Sequence, residues 1–293
     1  MEEILAKRIV HKTKTNQWFG ADYNMNIYKG CSHGCIYCDS RSDCYGIDRF
    51  DQIRIKKDAL SIIERDLAGK KQKGIIATGS MSDPYNFQEE VLGLTRGSLQ
   101  LIEKYGFGIN IATKSPLVTR DMDILTRIKK QAPAMVKITI TTIDDTMSEK
   151  IEPRVAPTSA RFAALKELHD AQIFTGILLM PVLPFITDTE ENVMGIIERA
   201  AESKVDFIYP MFGMTLRENQ RDWYFENLDR LFPGKKEKYL HSFGNRYECR
   251  SLNWERLYQQ FQSTCKKYHI LYDMQEIIAA HKKNYETLQL TFW

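Results

Sequence analysis

The sequence has no strong excess of charge: 41 lysines and arginines against 38 aspartates and glutamates leave +3. That is far short of the surplus expected of a dedicated nucleic-acid binder, and it neither supports nor excludes a nucleic-acid substrate. No apolar run approaches the ~20 residues a membrane helix needs. Met1 to Arg8 is charged and lacks the apolar core of a signal peptide, so a cytoplasmic protein with no membrane partner is expected. His11, His169, His241, His269 and His281 are dispersed and show no metal-ligand spacing. Internal repeats, low-complexity tracts and linker-like stretches are missing too. What is there is ordinary for one large globular core: 293 residues, 43% hydrophobic and 27% charged.

Cysteine is the exception to this even distribution. Of six cysteines, Cys31, Cys35 and Cys38 fall within eight residues, spaced C-x3-C-x2-C, while Cys44, Cys249 and Cys265 are scattered. The pattern suits a metal site in a reducing compartment better than a disulfide framework. Thiolates are soft ligands for zinc or iron–sulfur clusters. Gly30 and Gly34 let a short loop turn its sulfurs toward one point. Three thiolates on a four-iron cube leave one iron open to a substrate or cofactor. A tetrahedral zinc site built from Cys31, Cys35, Cys38 and either Cys44 or His33 also satisfies the ligand count.

Beyond the loop, strand-like and helix-like segments take turns. Tyr23 to Tyr28 reads as a strand entering the cysteine loop, after an irregular basic lead-in over residues 1–20. Helical spacing then appears at 58–67, 94–105, 121–130, 159–168 and 188–201, with Ser159 and Asp188 as expected N-caps. Apolar or β-branched runs at 74–79, 108–113, 135–142, 174–180 and 205–209 read as strands. About six alternations imply an α/β fold with parallel strands and right-handed crossovers. Periodicity alone does not choose between a doubly wound sheet and a partial barrel. Residues 21–212 are read as the core and 213–293 as a C-terminal helical extension packed on it, with Leu252, Leu257, Phe261 and Cys265 inward and Leu290, Phe292 and Trp293 in the tail.

Polar residues collect after the strands. Thr78 to Tyr85 carries Ser82 and Asp83; Thr113-Lys114-Ser115 places a cation where a cofactor carboxylate would need one. Thr139 sits in the fourth core strand, Arg154 follows Glu152-Pro153, and Pro181 and Pro184 fix the loop after the fifth.

The cysteine spacing, with Tyr37 just before the third cysteine, resembles the radical S-adenosylmethionine (SAM) superfamily. Ser82-Asp83-Pro84-Tyr85 with Glu89, Leu94-Thr95-Arg96, Thr113-Lys114-Ser115, Arg120-Asp121, Glu152-Pro153-Arg154, Arg161-Phe162 and Pro181 through Asp188 resemble its spore photoproduct lyase-related group, across about residues 25–210. The resemblance implies a partial (β/α)6 barrel with its chemistry at the carboxyl ends of the strands. It also implies a [4Fe–4S] cluster on Cys31, Cys35 and Cys38, whose open iron chelates SAM. An external one-electron donor of the flavodoxin or ferredoxin type would drive cleavage to a 5′-deoxyadenosyl radical, which abstracts hydrogen from a substrate. By the same analogy Tyr37 and the loop after Pro181 approach adenine, while Ser82, Lys114, Thr139 and Arg154 contact the methionine end or ribose.

Two departures stand out. Asp39 occupies a position that is aromatic in the lyase, and Gly79 to Asp83 lacks the lyase's hydrogen-donating cysteine. Cys44 is then either a hydrogen donor or a small buried apolar residue. Substrate class stays open among nucleic acid, peptide and small metabolite. The rival readings are a zinc-stabilised binding module and a non-catalytic iron–sulfur redox protein.

Overall fold

The computed structural model describes residues 2–285. Its main sheet has seven strands: β1 (Val10–Lys12), β2 (Tyr23–Met25), β3 (Ile75–Thr78), β4 (Gly108–Thr113), β5 (Ala134–Thr139), β6 (Phe174–Leu179) and β7 (Phe207–Pro210). They lie in the order β7-β6-β5-β4-β3-β2-β1. β2 through β7 pair in parallel, and β1 joins β2 antiparallel. A doubly wound sheet reverses its strand order at a switch point. Here six parallel strands follow one another without reversal, which is the winding of a barrel left open.

The crossovers are α1 (Ala59–Ala68), α2 (Leu94–Lys104), α3 (Met122–Lys129), α4 (Thr158–Asp170) and α5 (Glu190–Glu202). Alternation along the strands sorts side chains between two environments. On β5, Val136 and Ile138 join the large cluster shared with the helices, to which Ile63, Leu99, Leu125 and Leu165 contribute. Met135, one position away, joins a separate cluster with Phe19, Leu178, Phe207 and Ile277. Each fully buried aliphatic side chain of this kind is worth roughly 1.5–3 kcal/mol. Burial on both faces explains why the strands read as near-continuous apolar runs.

Past β7 come α6 (Gln220–Leu231), α7 (Lys235–Phe243), α8 (Trp254–Lys267) and α9 (Met274–Lys282). The free edge of β7 is covered by Leu271, whose amide donates to Asp206 O (3.0 Å) and whose carbonyl accepts from Ile208 N (2.8 Å). Among the described residues no helix is long and apolar enough to cross a membrane.

Several local expectations change. The lead-in is not wholly irregular: β1 finds a partner in β2, and Glu3–Ile4 pairs with Arg54–Lys56. The 23–28 strand is two, because Tyr28–Lys29 leaves the main sheet to pair with Arg54–Lys56. Ser159 is not an N-cap; α4 begins at Thr158, and Ser159 bonds Asp145 instead. Thr189, not Asp188, caps α5 by accepting from Asn192 N, while Asp188 accepts from Ser251 (2.7 Å). The extension also holds a ribbon, Gly213–Thr215 with Glu248–Arg250. Leu252 is exposed, whereas Leu257, Phe261 and Cys265 are buried. Leu290, Phe292 and Trp293 lie outside the described residues.

Candidate active site

The carboxyl ends of the parallel strands open into a cavity of about 440 Å3. Cys31, Cys35 and Cys38 all line it, and so do Tyr37, Ser82, Lys114, Thr139 and Pro181. Residues separated by 150 positions in sequence therefore face one space, as the winding requires. Arg154 is the one expected contact that the structure does not bring in. Its side chain is half exposed, 3.8 Å from Asp51, because the chain turns outward after Pro153.

The cysteine loop is fixed from several sides. Gly30 has φ +85°, and a Cβ there would strike the carbonyls of Phe50 and Gln52, so only glycine fits. Cys31 N donates to Phe50 O (2.8 Å) and Ile36 N to Ile151 O (3.0 Å). From the extension, Gln220 Nε2 donates to Tyr37 O (3.1 Å) and Trp223 Nε1 to Cys35 O (3.2 Å). The extension thus forms one wall of the site.

A buried ion pair lies behind the loop. Arg161 Nη2 is 2.5 Å from Glu152 Oε2, both side chains fully buried, and the Tyr37 hydroxyl donates to Glu152 Oε1. Arg161 also donates to Thr139 O (3.0 Å) and Ala156 O (2.7 Å). Burial works against ionisation of Glu152, but Arg161 and Lys114 outweigh it and hold the carboxyl below its ordinary pKa. In the Glu152-Pro153-Arg154 stretch it is therefore the carboxylate, paired with the later Arg161, that faces inward.

Asp83 anchors Lys114. Its carboxylate accepts from Thr113 Oγ1 (2.6 Å) and Lys114 N (2.8 Å), and His33 Nδ1 stands 3.7 Å away. His33 is buried. Burial would lower the Lys114 pKa, yet Cys35 once ionised, with the carboxylates of Glu152 and Asp83, raises it above its usual value. Lys114 is therefore a permanent cation facing the cysteines, 5.8 Å from the Tyr37 ring centroid. Ser82 Oγ donates to Tyr28 O (3.1 Å).

The remaining motif residues are structural. Glu89 accepts from Tyr28 (2.5 Å), Thr95 N (2.8 Å) and Arg120 (2.8 Å), while Asp121 holds Arg96 (2.8 Å) and Tyr85 (3.1 Å). This network ties the loops after β3 and β4 together. Gly79, at φ +94°, must be glycine because a Cβ would run into the Ala112 carbonyl. Cys44 is not buried: it is exposed, and its sulfur accepts from Arg217 Nη1 (2.8 Å), a residue that lines the cavity although Cys44 does not.

The donor set fits an iron–sulfur cluster. Three thiols share one cavity with a buried lysine to balance the negative charge. Among the described residues, no three His, Cys, Asp or Glu side chains surround a single metal-ion position. A zinc ion needs its donors around one such point, whereas a cube spreads them over its corners. Burial pushes the Cys38 thiol up to about 11 and Cys35 well above its ordinary value. Metal binding would have to displace those protons.

The family model described as the Radical SAM superfamily matches residues 25–200, which hold the cysteine loop and strands β3 through β6. The chain belongs to this superfamily. As a radical SAM protein it is similar to uncharacterized proteins of Methanocaldococcus jannaschii (33% identity, covering 64% of this chain and 70% of the relative) and Mycobacterium tuberculosis (26%, 81% and 72%). Among solved structures, spore photoproduct lyase complexed with dinucleoside spore photoproduct superposes with a TM-score of 0.63 at 13% identity, covering 91% of this chain and 79% of the lyase. That similarity shows a shared radical SAM fold. The chain is an enzyme of the radical SAM type, a class that implies a four-iron cluster and SAM and needs an external electron donor. A zinc-stabilised binding module is thereby overturned.

Proposed function

We propose that the protein binds a [4Fe–4S] cluster on Cys31, Cys35 and Cys38, holds SAM in the adjoining cavity, and uses the pair to abstract hydrogen from a substrate. The observation that carries this reading is the convergence of the three cysteines and Lys114 on one cavity at the carboxyl ends of the strands. When bound, cluster and cofactor would supply a reductive cleavage that yields the 5′-deoxyadenosyl radical. The chain's own residues bind, orient and seal.

Lys114 presents a fixed positive charge for the carboxylate of the methionine moiety, and Asp83 sets its position through the Lys114 amide. Ser82 and Thr139 offer hydroxyls to the same cavity, and Pro181 adds an apolar surface to its lining. Tyr37 is held by Glu152, so its ring presents a rigid face beside the cysteines. Gln220 and Trp223 cap the loop and keep water from its backbone. Cys44, bonded to the cavity-lining Arg217, is the thiol we assign as hydrogen donor, since the stretch from Gly79 to Asp83 has none. The electron donor is a small flavodoxin- or ferredoxin-type protein, and the setting is cytoplasmic.

Binding of SAM without reductant, followed by equilibrium dialysis, tests the cofactor half directly. Cluster-loaded wild type should bind, and Lys114→Met should bind at least tenfold more weakly. Equal binding by the two would remove Lys114 from the site. Nucleic acid remains one substrate class under this reading; phosphate-dominated binding would weaken steeply as salt is raised.

A further inference from the structure

The geometry points to Lys137 as the anchor for an oxyanion group, carboxylate or phosphate, on the substrate. This deepens the proposed function, since it rests on that cavity being the reaction chamber.

Lys137 lies on β5 between Met135 and Thr139, on the alternating set that faces the barrel interior. It is 2% exposed and lines the same cavity as Lys114, together with Ala112 and Leu178. Its ammonium group is 4.4 Å from the Phe19 ring centroid and 4.0 Å from Met135 Sδ. Neither neighbour carries a negative charge. Among the described residues no carboxylate lies within ion-pair distance of it. Lys114 is a different case, because thiols, Glu152 and Asp83 surround it.

An amine buried without a counter-charge carries a large desolvation cost. Packing does not explain it, because methionine or leucine would fill the same apolar space without that cost. A ligand oxyanion entering the cavity would supply the missing charge and restore the ammonium form. Among the described residues, His281 on α9 registers its charge, and burial holds that imidazole neutral, its pKa pushed down to about 3. It offers no negative charge either. The substrate is therefore a molecule, or an extruded part of one, that carries its acidic group into the cavity as far as Lys137.

The test uses the cluster-loaded, oxidised enzyme with SAM bound, lysine labelled with 13C at Cε, and the Lys137 resonance assigned by its loss in Lys137→Met. Acetate and inorganic phosphate are the probes, and acetamide is the neutral control. At least one oxyanion should raise the Lys137 titration midpoint by a pH unit or more, with acetamide inactive. Lys137→Met should bind that probe at least tenfold more weakly. No shift with either oxyanion, or equal binding by Lys137→Met, overturns the assignment. A Lys137→Met enzyme that loses tenfold affinity for SAM itself also overturns it, because Lys137 would then be a cofactor contact. Failure of SAM cleavage with oxyanion binding intact would count against the proposed function instead.

Discussion

The buried amine of Lys137 makes a stability prediction whose slope with pH is as informative as its size. Desolvation lowers its pKa to about 7 in the folded protein. In the unfolded chain a lysine titrates near 10.4, a gap of about three and a half units, or roughly 4–5 kcal/mol. Between those two values the unfolded state binds the extra proton. Stability therefore rises as pH increases from about 7 to about 10.4, by about 1.4 kcal/mol per unit. His281 stays neutral throughout this window and adds no slope. Replacing Lys137 by methionine removes the titration and keeps the volume. Urea denaturation of the cluster-free protein, wild type against Lys137→Met, should show the variant more stable by several kcal/mol at pH 7. The advantage should shrink steadily toward pH 9.5. A difference that does not change with pH would refute the reasoning, because a packing effect alone has no proton dependence.

Other perturbations reach other parts of the site. Arg161→Ala leaves Glu152 charged and buried without its partner, which should cost about 3–5 kcal/mol in chemical denaturation. Trp223→Phe removes the donor to Cys35 O and should lower stability by about 1 kcal/mol, with faster loss of iron in a chelator challenge. Gly79→Ala should express poorly or unfold early on heating, since the Ala112 carbonyl occupies the place its methyl needs. A thymine photodimer oligonucleotide should not be turned over, because Gly79 to Asp83 lacks a thiol where the lyase has one and Cys44 lies on a different loop; product by mass spectrometry would reverse that expectation.

Much of this was legible in the chain. The strand–helix alternation and the cysteine spacing lie in local sequence, where periodicity and ligand distance are readable. Barrel against open doubly wound sheet was not, because strand order depends on which way each crossover packs. Tertiary partners explain the other differences. Asp83 and Glu152 gain their roles only where Thr113, Lys114 and Arg161 close around them. Arg154 is expected at the cofactor, yet it is Glu152, two positions earlier, that faces inward, paired with Arg161. Gln220 and Trp223 gave no signal, because a wall contributed by a distant helix leaves no local pattern. Lys137 did leave one, a lysine inside an apolar strand, and it gains meaning only once both faces of that strand are seen to be buried.

The central claim is tested most directly by incubating anaerobically reconstituted protein with SAM and dithionite and measuring 5′-deoxyadenosine. Wild type should form it, and Cys35→Ala should not. Iron-replete wild type that forms none, or a Cys35→Ala enzyme that forms it at the wild-type rate, would contradict the account.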